Sequence, residues 1–136
     1  MAETQIHLRI SHLYKEYVSN KPVLKDINLE VKASGLVAII GPSGTGKSTL
    51  IRCINRLVEP TKGSIDFYGK DIVTLNSSAL RKVRREIGMV FQGSALFDSM
   101  TVEENVGFPL KMFTENSKSD NQDRVDFVLK RVNLID

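Results

Sequence analysis

The feature that most constrains the fold is a glycine-rich loop placed directly after a run of apolar residues. Residues 36–40 read LVAII, and residues 41–48 read GPSGTGKS. An apolar run without alternation is typical of a central strand covered on both faces, and such strands belong to α/β sheets. Apolar residues at helical spacing follow the loop and predict an amphipathic helix from Lys47 that Pro60 and Gly63 end. The sequence therefore predicts a strand, a flexible loop and a helix in succession.

The loop fits the phosphate-binding pattern G-x-x-x-x-G-K-[ST]. We expect Gly44 and Gly46 to take positive φ, which turns successive backbone N–H groups toward one anion. The first turn of the following helix adds unpaired N–H groups and the positive end of its dipole. The sequence therefore predicts that this loop binds a polyphosphate.

Three side chains after the loop have distinct predicted roles. Lys47 brings an ammonium group to the β- and γ-phosphates, and at about 4 Å with an effective dielectric of about 20 this attraction is of order 4 kcal/mol. Ser48 offers a hydroxyl to Mg²⁺, which prefers oxygen ligands, and Thr49 contacts the phosphates. The predicted phosphate-binding residues are Gly41, Pro42, Ser43, Gly44, Thr45, Gly46, Lys47, Ser48 and Thr49.

Composition excludes several classes of protein. The 136 residues are 41% hydrophobic and 26% charged, which suits one soluble domain with a core, and the net charge of +3 is too small to indicate nucleic acid by itself. The basic run LRKVRRE, residues 80–86, is interpreted as the solvated face of a helix. The single cysteine, Cys53, excludes an internal disulfide and is interpreted as a packing residue. The longest apolar run is far shorter than the ~20 residues of a membrane span.

Periodicity places the remaining elements. Alternating apolar residues at 6–10 and 27–31 predict an antiparallel β-element around a polar connection, 14–22, and residues 63–72 predict a hairpin. A serine-capped helix is predicted over 77–86, and a short apolar strand, IGMVFQ, over 87–92. A capping box from Thr101 to Glu104 predicts a helix that Pro109 kinks or ends. A flexible linker is predicted over 114–123, before a helix from 124.

Residues 23–72 resemble the opening of an ATP-binding cassette (ABC) ATPase, and the similarity covers nearly the whole chain. It is carried by VLKDINLEV, the phosphate loop, a P-x-x-G-x-I passage and a G-x-D-I turn. The resemblance implies an α/β P-loop NTPase core with an antiparallel β-subdomain in residues 1–92, followed by the start of a helical subdomain in residues 93–136. It also implies a cassette truncated before the L-S-G-G-Q signature motif.

The resemblance implies roles for further residues. Tyr17 corresponds to the aromatic residue that stacks on adenine, with Tyr14 as the competing candidate. Gln92 corresponds to the Q-loop glutamine, which contacts Mg²⁺ and joins the γ-phosphate region to the helical subdomain. Lys47 and Gln92 are therefore the predicted catalytic residues, Ser48 and Gln92 the predicted metal contacts, and ATP and Mg²⁺ the predicted cofactors.

The segment FQGSALFDSMTVEENVGFPL, residues 91–110, is most similar to ABC ATPases of the Mla/Mce-associated phospholipid-transport kind, although importers of amino acids or metal ions share much of it. The resemblance implies an ATP-binding transporter subunit that forms a homodimer and meets membrane permease subunits through its helical subdomain, at the cytoplasmic face of the cell membrane. No nucleic acid is expected as a partner. Phe97, Met100 and Phe108 are candidates for the groove that holds the permease, with core packing as the alternative for each.

Two other functions compete with this interpretation. A soluble ABC-type ATPase that acts on nucleic acid or ribosomes would use the same nucleotide site without a permease. A P-loop kinase or GTPase is weaker, because no Asn-Lys-x-Asp run is present to read guanine. The sequence contains no signature motif, no apolar strand ending in Asp-Glu and no switch histidine after the loop. We therefore expect the intact protein to be a Mg²⁺-dependent ATPase and this chain alone to hydrolyse ATP negligibly.

Overall fold

The computed structural model describes residues 5–93 and 95–135, and it divides into two compact units, Met1–Met89 and Val90–Asp136. The sequence predicts a division after residue 92. The first unit contains β1 (Ile6–Val18), β2 (Lys21–Lys32), α1 (Lys47–Ile54), β3 (Lys62–Phe67), β4 (Lys70–Asp71) and α2 (Ser77–Glu86), and the second contains α3 (Val102–Phe113) and α4 (Lys118–Arg131).

The four strands form one antiparallel sheet in the order β2-β1-β3-β4, which confirms the predicted antiparallel element. The predicted polar connection over 14–22 is wrong, because strand pairing continues to Val18 and Lys21. The reversal needs only a short turn, in which Asn20 takes a φ of 61° and its N–H donates to the Glu16 carboxylate at 3.1 Å. Asparagine tolerates this left-handed conformation better than most residues.

The core of the first unit lies between this sheet and the two helices α1 and α2. Helix α1 contributes Leu50 and Cys53, and Cys53 is fully buried, which confirms its interpretation as a packing residue. Burial raises the pKa of its thiol. The buried cluster consists of Ile10, Leu13, Leu24, Leu50, Cys53, Ile65, Ile72 and Val83.

The predicted central strand over residues 36–40 is wrong, as is the predicted strand over 87–92: neither segment has strand pairing in the part of the chain that the structure describes. Leu36 and Ile40 are 97% and 91% exposed, and Val90 is 97% exposed. A strand exists only where a neighbouring strand supplies partners for its backbone N–H and C=O groups. No described segment pairs with either run, so apolar composition alone does not make a strand there.

Helix α1 ends at Ile54, earlier than the predicted end near Pro60, because Arg56 takes a φ of 53°. The basic run on α2 is also more than a solvated face. The Arg84 guanidinium donates to the carbonyl oxygens of Asn55 at 2.9 Å and Arg56 at 2.7 Å. The last carbonyls of a helix have no N–H partner within the helix, and here the cationic Arg84 side chain supplies donors to the carbonyls just after α1. Asn76 caps α2 through its side chain, where the sequence predicts serine caps.

The second unit is a pair of capped helices. Thr101 and Glu104 form the predicted capping box at the start of α3, and this helix continues past Pro109 to Phe113, so the predicted stop at the proline is wrong. The predicted linker over 114–123 is wrong in part, because α4 begins at Lys118. Ser117 and Asp120 form a second capping box there, a signal that the polar composition of the stretch conceals.

The α3 capping box gives the second unit a defined pH dependence. The backbone N–H of Thr101 donates to the Glu104 carboxylate at 2.8 Å, and this hydrogen bond lowers the pKa of that carboxyl. A lowered pKa in the folded state means that the stabilisation is complete above the ordinary glutamate pKa of 4.5 and is lost as the pH falls through the lowered value. We expect Glu104→Gln to reduce this acid-dependent loss of stability, measured by urea unfolding across a pH series.

The matched control is Glu103→Gln, which neutralises the neighbouring carboxylate in the same first turn but is no part of the capping box. Equal pH profiles for the two variants would show that general first-turn charge, and not the Glu104 hydrogen bond, produces the dependence.

Candidate phosphate-binding site

The glycine-rich loop has the backbone conformation that the sequence predicts. Gly44 has a φ of 80° and Gly46 a φ of 92°, both in the left-handed region that favours glycine. Gly46 is also the N-cap of α1, and Lys47 is the first residue of the helix. The N-terminal end of α1, with the positive end of its dipole, therefore opens directly into the loop.

The loop leaves a set of backbone donors unpaired. Within residues 5–93 and 95–135, the N–H groups from Gly44 to Ser48 donate no hydrogen bond, and the first paired N–H of the helix is that of Leu50, which donates to the Gly46 carbonyl at 2.8 Å. The loop from Gly41 to Thr45 is exposed, and Ser48 is exposed in the first turn. Unpaired donors at a helix N-terminus take water or an anion as partners, so this arrangement suits a phosphate group.

Lys47 folds back over the loop. Its ammonium group donates to the carbonyl oxygens of Gly41 at 2.7 Å and Pro42 at 2.5 Å, and the Thr45 hydroxyl donates to the same Pro42 carbonyl at 2.9 Å. These contacts hold the two ends of the loop together. An ammonium group has three donors, so one is left for an anion bound in the loop. The lysine therefore both shapes the loop and supplies its charge.

The end of the loop rests against β2. A Cβ atom built on Gly46 would lie 3.0 Å from the Val23 carbonyl oxygen and 3.1 Å from the Leu24 side chain. Leu24 belongs to the same buried cluster as Leu50 of α1. The glycine thus allows the start of the helix to approach the strand, and apolar packing one turn later fixes that approach.

The strand next to β2 brings Tyr17 to the same end of the sheet. Glu16 pairs with Pro22 and Val18 with Lys21, so Tyr17 lies across from the residues just before Val23. Tyr17 is 59% exposed. Tyr14 is half-buried and pairs with Lys62 on β3. Of the two aromatic candidates for the adenine, Tyr17 is thus the one beside the strand end that supports the loop.

The remaining predicted residues lie in the second unit. Gln92 is exposed and lies outside any helix or strand, and its contact with a metal ion stays a prediction. The rings of Phe97 and Phe108 pack against each other, with centroids 4.8 Å apart, and Met100 is half-buried. Phe97 is nevertheless 47% exposed, so its packing and its predicted role in a groove are compatible.

Three basic residues make long-range contacts that the sequence does not predict. Arg84 donates to carbonyls after α1, and Arg56 donates to the carbonyl oxygens of Ile72 and Leu75 at 2.9 and 2.7 Å. The Lys15 ammonium donates to the Glu59 carbonyl at 2.7 Å. Each of these bonds joins residues at least 16 positions apart, and no local sequence pattern signals such a contact.

Neither a metal-binding cluster nor a membrane-spanning helix is present among the residues with defined positions. No three His, Cys, Asp or Glu side chains gather into a group that could hold a metal ion. None of the helices described is both long and apolar enough to cross a membrane.

Comparison with known proteins identifies relatives over most of the chain. The protein-family model described as ABC transporter matches residues 24–136. A solved structure, the dimeric structure of MJ0796, a bacterial ABC transporter cassette, superimposes with a TM-score of 0.85 at 32% identity, over 95% of this chain and 58% of that one. These matches confirm the predicted ABC-type P-loop fold with its antiparallel β-subdomain.

The curated relatives are named for phosphonate import. One, a phosphonates import ATP-binding protein from Nitratidesulfovibrio vulgaris, is 48% identical over 136 residues, which cover 95% of this chain and 51% of that protein. Another, from a Ruegeria species, is 57% identical over 99 residues, which cover 73% of this chain and 38% of that protein. The chain spans about half, or less, of the length of these relatives. They correct the expected resemblance to phospholipid-transport ATPases of the Mla/Mce-associated kind.

Alanine substitutions at the two loop glycines distinguish the cost of backbone strain from the cost of steric contact. An alanine in the left-handed region costs about 1 kcal/mol at either position, but a methyl group at Gly46 also meets the Val23 backbone, whereas Gly44 has no atom within 4 Å of its added Cβ. We expect Gly46→Ala to lower the free energy of unfolding more than Gly44→Ala, measured by urea denaturation. Equal losses would show that the approach of α1 to β2 contributes nothing at this glycine.

Proposed function

This chain belongs to the ABC transporter family, and we propose that it binds the triphosphate of ATP in the loop of residues 41–49 as the ATP-binding part of a membrane importer. The observation that carries this proposal is the row of unpaired N–H donors from Gly44 to Ser48 beside the Lys47 ammonium. Several donors and one cation around a single exposed loop match a polyphosphate better than any neutral ligand.

Each part of the loop has a separate task in this proposal. The N–H groups from Gly44 to Ser48 donate to phosphate oxygens, and the remaining donor of Lys47 is directed to the terminal phosphates. The two carbonyl contacts of Lys47 stabilise the shape of the loop.

The residues present also fit Mg²⁺ bound together with ATP. The exposed Ser48 hydroxyl, in the first turn of α1, is a hard oxygen ligand of the kind that this ion accepts, and it would hold the ion together with phosphate oxygens and water. When bound, Mg²⁺ neutralises part of the phosphate charge. Gln92 is proposed as a second contact on the strength of its sequence context alone.

We propose that Tyr17 stacks on the adenine. Its exposed ring lies on β1 across from the residues before Val23, and the Val23 carbonyl borders Gly46 at the end of the loop. A base bound there would extend from the phosphates across this end of the sheet. Aromatic stacking is sequence-tolerant and contributes about 1–3 kcal/mol per base in other base-binding sites.

The transport proposal follows from the named relatives. Proteins 48% and 57% identical to this chain are named as phosphonate import subunits, so we propose phosphonates as the transported substrates. The intact protein would then hydrolyse ATP as a dimer of ATPase subunits at the cytoplasmic face of a membrane, with permease subunits bound through the second unit. The dimeric solved cassette supports the dimer. The import names favour this function over action on nucleic acid or ribosomes.

The role of Lys47 can be tested with the chain itself. A ligand at 100 times its dissociation constant adds about 2.7 kcal/mol of stability to a protein that binds it. We expect ATP with Mg²⁺ to raise the melting temperature of the wild type, and Lys47→Ala to abolish this rise. Lys70→Ala, which removes an exposed lysine on β4, is the matched control and should respond as the wild type does.

An ATP-induced stabilisation that survives Lys47→Ala would place the nucleotide elsewhere. In the same samples we expect negligible hydrolysis of ATP. Steady-state hydrolysis abolished by Lys47→Ala would show that this chain alone is a complete catalyst and would contradict that part of the proposal.

The substrate proposal is tested in the organism that carries the gene. Disruption of the gene should abolish growth on a phosphonate as the sole source of phosphorus, and growth on inorganic phosphate should remain. The gene for the Lys47→Ala protein should fail to restore growth, and the wild-type gene should restore it. Unimpaired growth of the disrupted strain on phosphonates would contradict phosphonate import.

A further inference from the structure

One lysine links the strand that carries Tyr17 to the chain after α1. Lys15 lies two residues before Tyr17 on β1, and its ammonium nitrogen is 4.9 Å from the centroid of the Tyr17 ring, in a cation–π contact. The same nitrogen donates to the carbonyl oxygen of Glu59 at 2.7 Å. The side chain of Lys15 is half-buried, whereas the Tyr17 ring above it is largely exposed.

Lys15 lies on the side of the sheet that faces α1. It pairs with Leu24, a member of the buried cluster that includes Leu50 of α1, and paired residues of antiparallel strands project to the same face. Burial raises the pKa of the Cys53 thiol on α1, and the positive charge of Lys15 acts on the same thiol in the opposite direction.

The Tyr17 ring needs such a contact if it is to bind a base. An exposed tyrosine rotates about two side-chain bonds, and a base that stacks on it must first fix the ring. The Lys15 ammonium, held by the Glu59 carbonyl, lies over one face of the ring. Tyr17 is 59% exposed, so an aromatic ligand can stack on the face away from Lys15, and the cation favours a ring orientation that keeps this face available.

We propose that Lys15 is a positioning residue for the nucleotide base: its ammonium group, anchored on Glu59, fixes the Tyr17 ring so that adenine stacks on the other face. This inference rests on the proposed binding of ATP at the loop. The proposed role of Lys15 differs from a role in phosphate binding, because Lys15 acts through Tyr17 and contributes only when the ligand carries a base.

The affinities for two ligands distinguish positioning of the base from binding of the phosphates. ATP carries a base and a triphosphate, whereas inorganic tripolyphosphate carries the phosphates alone. We expect Lys15→Met, which keeps most of the apolar stem, to weaken ATP about two- to five-fold and to leave tripolyphosphate unchanged, as measured by calorimetric titration in the presence of Mg²⁺. Lys15→Arg keeps a cation over the ring and should restore most of the ATP affinity.

A double-mutant cycle shows whether Lys15 acts through Tyr17. Tyr17→Leu removes the ring and should weaken ATP but not tripolyphosphate. In that background Lys15→Met should have no further effect on ATP. If Lys15→Met does not fold, Lys15→Gln, which removes the charge but keeps a donor, replaces it in every titration.

The outcomes that overturn the inference are distinct from those that overturn ATP binding. If Lys15→Met lowers the affinities for ATP and tripolyphosphate equally, Lys15 acts through its general charge or through the stability of the fold. If the affinity for ATP is unchanged, Lys15 has no role in binding the nucleotide. Lys47→Ala should abolish the binding of both ligands. If the wild type binds neither ligand, the proposed phosphate site fails and this inference fails with it.

Discussion

The contact between the start of α1 and β2 is the constraint on which the rest of the site depends. Gly46 brings the helix end to the Val23 carbonyl, and Leu50 and Cys53 hold the following turns in the buried cluster. The helix axis is thereby fixed by apolar packing, with its unpaired N–H groups at the exposed end. These N–H groups can bind a ligand because apolar packing buries one face of the helix in the core and leaves the donors at its N-terminus exposed and unpaired.

The backbone polar groups at the two ends of α1 differ in whether they have hydrogen-bond partners. At the C-terminal end, the Arg84 guanidinium donates to the carbonyls of Asn55 and Arg56, so these acceptors are satisfied within the protein. At the N-terminal end, the donors from Gly44 to Ser48 have no partner in the described structure, and the lysine of the loop bonds only to carbonyls. The row of unpaired backbone donors therefore lies at the loop end of α1, where an anion would be bound.

Local patterns in the sequence predicted local structure well. The left-handed glycines and the Thr101 capping box follow from short local patterns, and the antiparallel pairing of β1 with β2 follows from alternating apolar residues in two successive segments; the structure confirms all three. The prediction of a strand over 36–40 is wrong, because a strand requires a paired neighbour that its own residues do not specify. The contacts of Arg84 and Lys15 could not be predicted either, since they join residues distant in sequence that packing brings together.

Backbone amide NMR tests the central claim most directly, because it observes the donors themselves. Inorganic tripolyphosphate added to ¹⁵N-labelled protein should shift the amide resonances of Gly44, Gly46 and Ser48 strongly downfield as their N–H groups take up phosphate oxygens. Amides on the β3–β4 turn, such as Gly69, should stay in place, because β4 is at the opposite edge of the sheet from β2. Loop amides that do not respond while other amides shift would contradict the assignment of this loop as the phosphate-binding site.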